Sequence, residues 1–282
     1  MASNGTPDIQ KLRAIATRTR VRIIKMLCEA GSGHPGGSLS AVEIVTALYF
    51  AKLRHRPTDP TWPQRDRFVI SKGHGVPVVY AALAEAGYLA EEELSTLRKI
   101  DSRLQGHPDR VRLPGIEAAT GSLGQGLSVA VGMAMASRLA GNPYRVYCLL
   151  GDGECQAGQV WEAAMTAGKY RLDRLTAIID YNKVQLDGTV AQIMDLEPLR
   201  EKWESFNWAT QLIEGNDIAE VLSALENASA TTGCPSIIIA HTTKGKGVSF
   251  MEGRYQWHGK APSAEEAERA IAEIQAGGTG DG

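Results

Sequence analysis

Residues 8–30, DIQKLRAIATRTRVRIIKMLCEA, set apolar side chains at helical spacing and stop at Gly31, which predicts one long amphipathic helix closed by a glycine. Five later runs are largely apolar: RFVIS (67–71), RVYCLL (145–150), LTAIID (175–180), WATQLIE (208–214) and SIIIAHT (236–242). Continuous rather than alternating apolarity predicts strands covered on both faces. Helical stretches are predicted between them at 76–87, 123–140, 159–169 and 217–230, the last opened by a capping Asn-Asp pair. Strand and helix in this alternation predict an α/β fold, a parallel sheet flanked by helices on both faces. In such sheets ligands bind beyond the carboxyl ends of the strands.

Segments 100–122, 183–196 and 243–262 are rich in Gly, Pro and polar residues, and loops of that length carry function or disorder. Residues 1–7 and 276–282 read as disordered ends of one domain spanning 8–275. Charge adds an exclusion: 30 basic against 32 acidic residues, without a Lys/Arg stripe, argue against a nucleic-acid partner. No apolar run approaches the ~20 residues of a membrane span, and MASNGTPD lacks a signal-peptide core, so no membrane partner and a cytoplasmic location are expected. Cys28, Cys148, Cys155 and Cys234 form no CxxC pair and read as reduced thiols.

The chemistry starts at LLGDGECQAG, where Asp152 stands between Gly151 and Gly153 directly after an apolar run. A buried carboxylate without a partner is costly, so the residue either meets a cation or turns in solvent. Asn182 follows the next predicted strand. Neighbouring strands lie ~4.8 Å apart, which lets both side chains reach one hard cation. Magnesium suits that supply, because it takes few protein oxygens and completes its shell with water and phosphate. The glycines would let backbone amides approach a diphosphate. Taken alone, GDG and a loop Asn fit ordinary turns as well.

Seven motifs in order decide between these readings: GSGHPGGSLS (31–40), SKGHG (71–75), GHP (106–108), TGSLGQG (120–126), GDGECQAG (151–158), DYNKVQLDG (180–188) and KGKGVSFMEGRYQWHGKAP (244–262). Together, from about residue 8 to about residue 275, they resemble the thiamine-diphosphate-binding N-terminal domain of transketolase. The resemblance implies a magnesium site of Asp152, Asn182 and the Val184 carbonyl, with Gly151, Gly153 and Glu154 around the diphosphate. It implies that His74 and His258 lie beside the diphosphate and thiazolium, that His34 and His107 contact sugar hydroxyls, and that Gly121, Ser122 and Leu123 meet the aminopyrimidine. The implied reaction moves a two-carbon ketol unit from a ketose, such as a sugar phosphate, to an aldose. Imidazoles suit it because they donate or accept protons near neutrality. A zinc site is the competing use of histidines, but no HxxxH or HxxE spacing occurs. His55 and His241 match no motif.

Two departures from the resemblance matter. Ala157 stands where most relatives carry a glutamate of a carboxylate relay between paired sites. A single-chain transketolase also continues into a pyrimidine domain, which holds the cofactor-activating glutamate and the arginines that grip substrate phosphate. The resemblance therefore implies a diphosphate-binding subunit of a split enzyme, working with a separately encoded pyrimidine-domain subunit in an α2β2 assembly. The alternatives are the α subunit of a 2-oxo acid dehydrogenase E1, against which GSGHPGG and WHGKAP argue, and a non-catalytic module that kept the fold.

Overall fold

A computed structural model describes residues 7–277. Most of the two ends expected to be disordered lies outside the described residues; Ala276 and Gly277 close the last helix. Helix α1 (Ile9–Ala30) begins where the Asp8 side chain accepts the Lys11 N–H, and it ends at Gly31 with φ 61°, the left-handed turn that glycine makes without steric cost. Its stripe of Leu12, Ile15, Ala16, Ile23 and Leu27 is buried. Arg20 on the same helix is buried too, donating to Glu43 at 2.8 Å and to the Lys246 carbonyl at 3.1 Å.

Helices α2 (Pro35–Leu39) and α3 (Val42–Ala47) follow, the latter continued by a π-helical turn over Leu48–Lys52. Every residue of α2 and α3 is buried, so no polar face marks them and the periodicity did not predict them. The remaining helices are α4 (Val76–Ala86), α5 (Gln125–Leu139), α6 (Gly158–Lys169), α7 (Val190–Ile193), α8 (Leu199–Ser205), α9 (Ile218–Ala230) and α10 (Ala264–Gly277). Helix α10 was not predicted either, although its buried Ala267, Ala270 and Ile274 fall at helical spacing.

Strands β1 (Arg67–Ile70), β2 (Val146–Gly151), β3 (Leu175–Tyr181), β4 (Ala209–Glu214) and β5 (Ser236–His241) form one parallel sheet in the order β1-β2-β3-β5-β4. Alternate residues feed two cores. Tyr147, Leu149, Ile178 and Ile238 pack into the core that α1, α3, α4 and α9 share. Cys148, Leu150, Ala177, Ile179 and Ile239 face the core of α5, α6 and α8. Side chains alternate along a strand, so an unbroken apolar run is the requirement of a doubly covered sheet. The 208–214 run departs from that expectation: β4 pairs with β5 alone, and Leu212 is 48% exposed at this edge. The ends of β1, β2, β3 and β5 point to one side, where the functional side chains gather.

Candidate active site

Asp152, directly after β2, is 3% exposed. Its Oδ1 accepts the Gly153 N–H at 2.7 Å and its Oδ2 the Lys183 N–H. Burial and the nearby Asp180 charge nevertheless push this carboxyl up to about 6. Asn182, just past β3, donates from Nδ2 to Asp180 at 3.1 Å, and its Oδ1 accepts the Val184 N–H at 3.1 Å. The Val184 carbonyl accepts from Lys244 Nζ at 2.8 Å. Burial lowers that ammonium to about 8, with the Asp152 charge opposing the shift.

These residues fit a magnesium-bound diphosphate on two counts. An ammonium already rests on the Val184 carbonyl, so the spot favours positive charge. Gln185 Nε2, whose side chain packs against Gly153, and His34 Nδ1 are buried polar atoms without partners, and a donor of the Gln185 kind requires an acceptor. Among the described residues no three His, Cys, Asp or Glu side chains are disposed to hold a metal ion. A cation here would therefore combine the single Asp152 carboxylate with amide, carbonyl and phosphate oxygens, as magnesium does.

Under this layer lies a buried ion pair that sequence reasoning passed over. Lys72 Nζ meets Asp180 Oδ2 and also donates to the Gly37 carbonyl at 2.6 Å. Asp180 further accepts from Ser40 Oγ at 2.6 Å and from the Thr242 hydroxyl. Burial opposes the Asp180 charge, but Lys72 and these hydroxyls outweigh it and hold the carboxyl below its usual range. The pair thus joins the ends of β1, β3 and β5 to α2 and orients the Asn182 amide. Removing one partner of such a pair strands a buried charge, at a cost of about 3–5 kcal/mol. The only signal in the sequence was a lysine among glycines after an apolar run, in SKGHG and again at Lys244.

Glu154 is placed differently from Asp152. Oε1 accepts from Ser71 Oγ and from the Gly124 N–H at 2.9 Å, and Oε2 accepts the Gly151 N–H at 3.0 Å. Both oxygens are engaged inside the protein, where they brace the 120–126 loop against β2.

The four glycine-flanked histidines, far apart in sequence, converge. Ring centroids lie 5.3 Å apart for His34 and His74, 5.0 Å for His74 and His258, 5.5 Å for His34 and His258, and 6.4 Å for His34 and His107. Glycines make the approach possible. A Cβ on Gly121, which has φ 145°, would come within 2.9 Å of the His107 ring, and one on Gly73 within 2.8 Å of the Gly121 backbone. Ser122 and Leu123 next to it are exposed, Leu123 by 43%. His55 lies elsewhere, between the Tyr49 carbonyl and the Tyr88 hydroxyl.

Burial lowers all four imidazoles. His34 falls to about 4, with Arg98, His107 and Lys244 adding to the effect, and His258 falls to about 3, with Lys244 next in weight. His74 lies well below its usual value, and His107 is lowered by burial and Arg98. The rings are neutral at physiological pH. Lys244 Nζ lies 3.0 Å from His258 Nδ1, and because an ammonium can only donate, Nδ1 accepts and Nε2 keeps the ring proton.

A pH dependence follows with a definite sign. Folded His34 titrates near 4 and an unperturbed imidazole at 6.5, so between those values the unfolded chain binds more protons and acidification favours unfolding. Stability from His34 is complete above 6.5 and is lost as pH falls toward 4. Asp152 and Glu154, raised by burial, act in the opposite direction, so the comparison must isolate His34. A His34→Gln variant should lose about 2–4 °C less in thermal midpoint than the parent between about pH 7 and about pH 5. Parallel melting profiles would refute the assignment.

Oxygen-bearing groups at strand ends, gathered beside a cluster of neutral imidazoles, suit a parallel α/β domain that holds a diphosphate cofactor. Residues 11–276 match the family described as transketolase, thiamine diphosphate binding domain, and the chain belongs to that family. It is 49% identical over 245 residues to the 6-deoxy-6-sulfo-D-fructose transketolase subunit of a Clostridium species, covering 87% of this chain and 89% of that one. To an apulose-4-phosphate transketolase subunit of Actinobacillus succinogenes it is 46% identical over 272 residues, covering 96% and 98%. The crystal structure of Campylobacter jejuni transketolase superposes with a TM-score of 0.91 at 36% identity, over 95% of this chain and 43% of that longer one. Among the described residues no helix is long and apolar enough to cross a membrane.

Proposed function

We propose that the chain is the diphosphate-binding subunit of a two-component transketolase, which moves a two-carbon ketol unit from a ketose bearing a terminal phosphate or sulfonate to an aldose. The observation that carries this reading is the meeting of the Asp152, Asn182 and Val184 oxygens with four neutral histidines. Relatives named as subunits of sulfosugar and sugar-phosphate transketolases support it, since they match nearly end to end. The partner is a separately encoded pyrimidine-domain subunit, in an α2β2 assembly. The reading also places the enzyme in the cytoplasm.

Asp152, Asn182 and the Val184 carbonyl hold magnesium, and the Gly151 and Gly153 backbone, with Gln185, lines the diphosphate. Glu154 acts behind them as the brace of the loop that presents Gly121, Ser122 and Leu123 to the aminopyrimidine. Thiamine diphosphate, when bound, supplies the carbon nucleophile. The chain's own residues handle the protons. His34 and His107 hydrogen-bond the sugar hydroxyls, and His258 offers its Nε2–H beside His74. Because the rings are neutral, each can hydrogen-bond a hydroxyl, and His258, whose Nδ1 accepts from Lys244, does so only as a donor from Nε2.

His107→Ala should keep cofactor affinity and lose about 10- to 150-fold in kcat/KM, the equivalent of one hydrogen bond to a charged or polarised group, ~1.5–3 kcal/mol, expressed in the transition state. Steady-state kinetics of the assembled enzyme with a ketose panel tests this. An unchanged kcat/KM would leave His107 a loop residue, and ketol transfer from none of the panel by the parent enzyme would overturn the function itself.

A further inference from the structure

We propose that Asn216, backed by Glu43 and Arg20, is a positioning residue of the active site, which sets the register of the 243–247 turn and so holds Lys244 against His258. This rests on the transketolase reading above only for the reaction that His258 serves. Of the Asn-Asp pair before α9, Asp217 alone caps the helix, accepting the Ala219 and Glu220 amides. Asn216 has another task. Its Oδ1 accepts the Thr243 N–H at 2.8 Å, and its Nδ2 donates to the Ser40 carbonyl at 3.1 Å and to Glu43 at 3.0 Å.

The same network returns to the turn from its far side. Arg20, paired with Glu43 at 2.6 Å, donates from Nε to the Lys246 carbonyl at 3.1 Å. Gly247, with φ 92°, makes room for it, since a Cβ there would lie 3.1 Å from Arg20 Cδ and Nε. Lys244 therefore stands between two fixed points, the Thr243 amide and the Lys246 carbonyl. The Gly245 N–H adds a third by donating to the Gly36 carbonyl at 3.0 Å. A buried ion pair is weak evidence for stability, because apolar residues of similar volume often serve as well. Among the described residues, every side-chain hydrogen bond this pair makes beyond itself ends on Asn216 or on the turn, which assigns it to register.

Register matters because Lys244 has little freedom of its own. It is 2% exposed, and its Nζ both donates to the Val184 carbonyl at 2.8 Å and meets His258 Nδ1 at 3.0 Å. Its stem crosses Gly36, where a Cβ would lie 3.0 Å from Lys244 Cγ. A shift of the turn carries the ammonium with it, and the donor that keeps the His258 proton on Nε2 is then lost. A misplacement of about 1 Å in such a site costs up to ~100-fold in rate.

In the assembled enzyme, saturated with magnesium and thiamine diphosphate, Asn216→Ala should lower kcat for a ketose donor by about 10- to 100-fold. The control is Ile218→Ala, which hollows the small core of Leu12, Ile15 and Ile218 beside the same loop; it should lower the thermal midpoint and keep the parent kcat. Nitrogen NMR shifts of the His258 ring, measured on the full chain by itself, give a readout that needs no sugar. The parent and Ile218→Ala should show the Nε2–H tautomer, and Asn216→Ala a mixture of the two tautomers. Should Asn216→Ala fail to fold, Arg20→Lys decides by the same measurements, since it keeps a cation for Glu43 but removes the Nε–H that holds the Lys246 carbonyl. Parent kcat or the parent tautomer in the folded variant would overturn the proposal, as would an equal loss of kcat in Ile218→Ala. A parent enzyme that transfers no ketol unit would sink the transketolase reading instead, and the tautomer measurement would still decide the role of Asn216.

Discussion

Asp152→Ala is expected to abolish binding of both magnesium and thiamine diphosphate. The two are linked, because a cation held by three side-chain or carbonyl oxygens of the protein depends on phosphate oxygens to fill its shell, and the diphosphate depends on the cation to offset its charge. Of the three oxygens assigned here, Asp152 alone carries a full negative charge, while Asn182 and Val184 supply only dipoles. Loss of a group that merely orients a ligand costs about 10–100-fold in metal affinity, so loss of the charged ligand itself should exceed that range. Titration calorimetry of the assembled variant reads both affinities, and circular dichroism separates them from misfolding, since Asp152 also accepts from the Gly153 and Lys183 amides. Parent-like affinity for the cofactor would remove Asp152 from the site.

The second large effect is dependence on the partner. Purified alone, the chain should bind the cofactor weakly and show no ketol transfer, and addition of the pyrimidine-domain subunit should restore both. On the proposed reading Asp152 and Asn182 hold the diphosphate end, and the other two site carboxylates are committed: Glu154 to Ser71, Gly124 and Gly151, and Asp180 to Lys72 and its hydroxyls. Neither is free to protonate the aminopyrimidine. The Ser122–Leu123 tip and the mouth around His107 are open to solvent, the condition of a surface meant to be covered. An obligate interface buries about 2,000 Å² or more, enough to hold the two subunits together through size-exclusion chromatography. Substantial turnover by the lone chain, purified from a host without transketolase, would refute this dependence.

Much of the fold was legible because the code for a doubly covered sheet is local. Runs such as VYCLL and TAIID have one reading, and α1 carries its periodicity and both caps within its own residues. What escaped differed in kind. Helices α2 and α3 are buried all round and offer no amphipathic signal, whereas α10 carries one in Ala267, Ala270 and Ile274 that the sequence reading passed over. Strand β4 looked like its neighbours, yet edge position is a property of the sheet order and cannot be read from seven residues.

The site divides in the same way. The sequence by itself determined the oxygen-bearing residues at two strand ends, the four glycine-flanked histidines, and through their order the family, since each motif is a contiguous stretch of the chain. Only the tertiary structure decided that the histidines converge, that burial leaves them neutral, that Glu154 faces inward while Asp152 faces the site, and that Lys72 and Asp180 form the pair beneath them. Those properties depend on desolvation and on distances between groups brought together from different strands and loops, and neither exists until the strands have stacked and water has left.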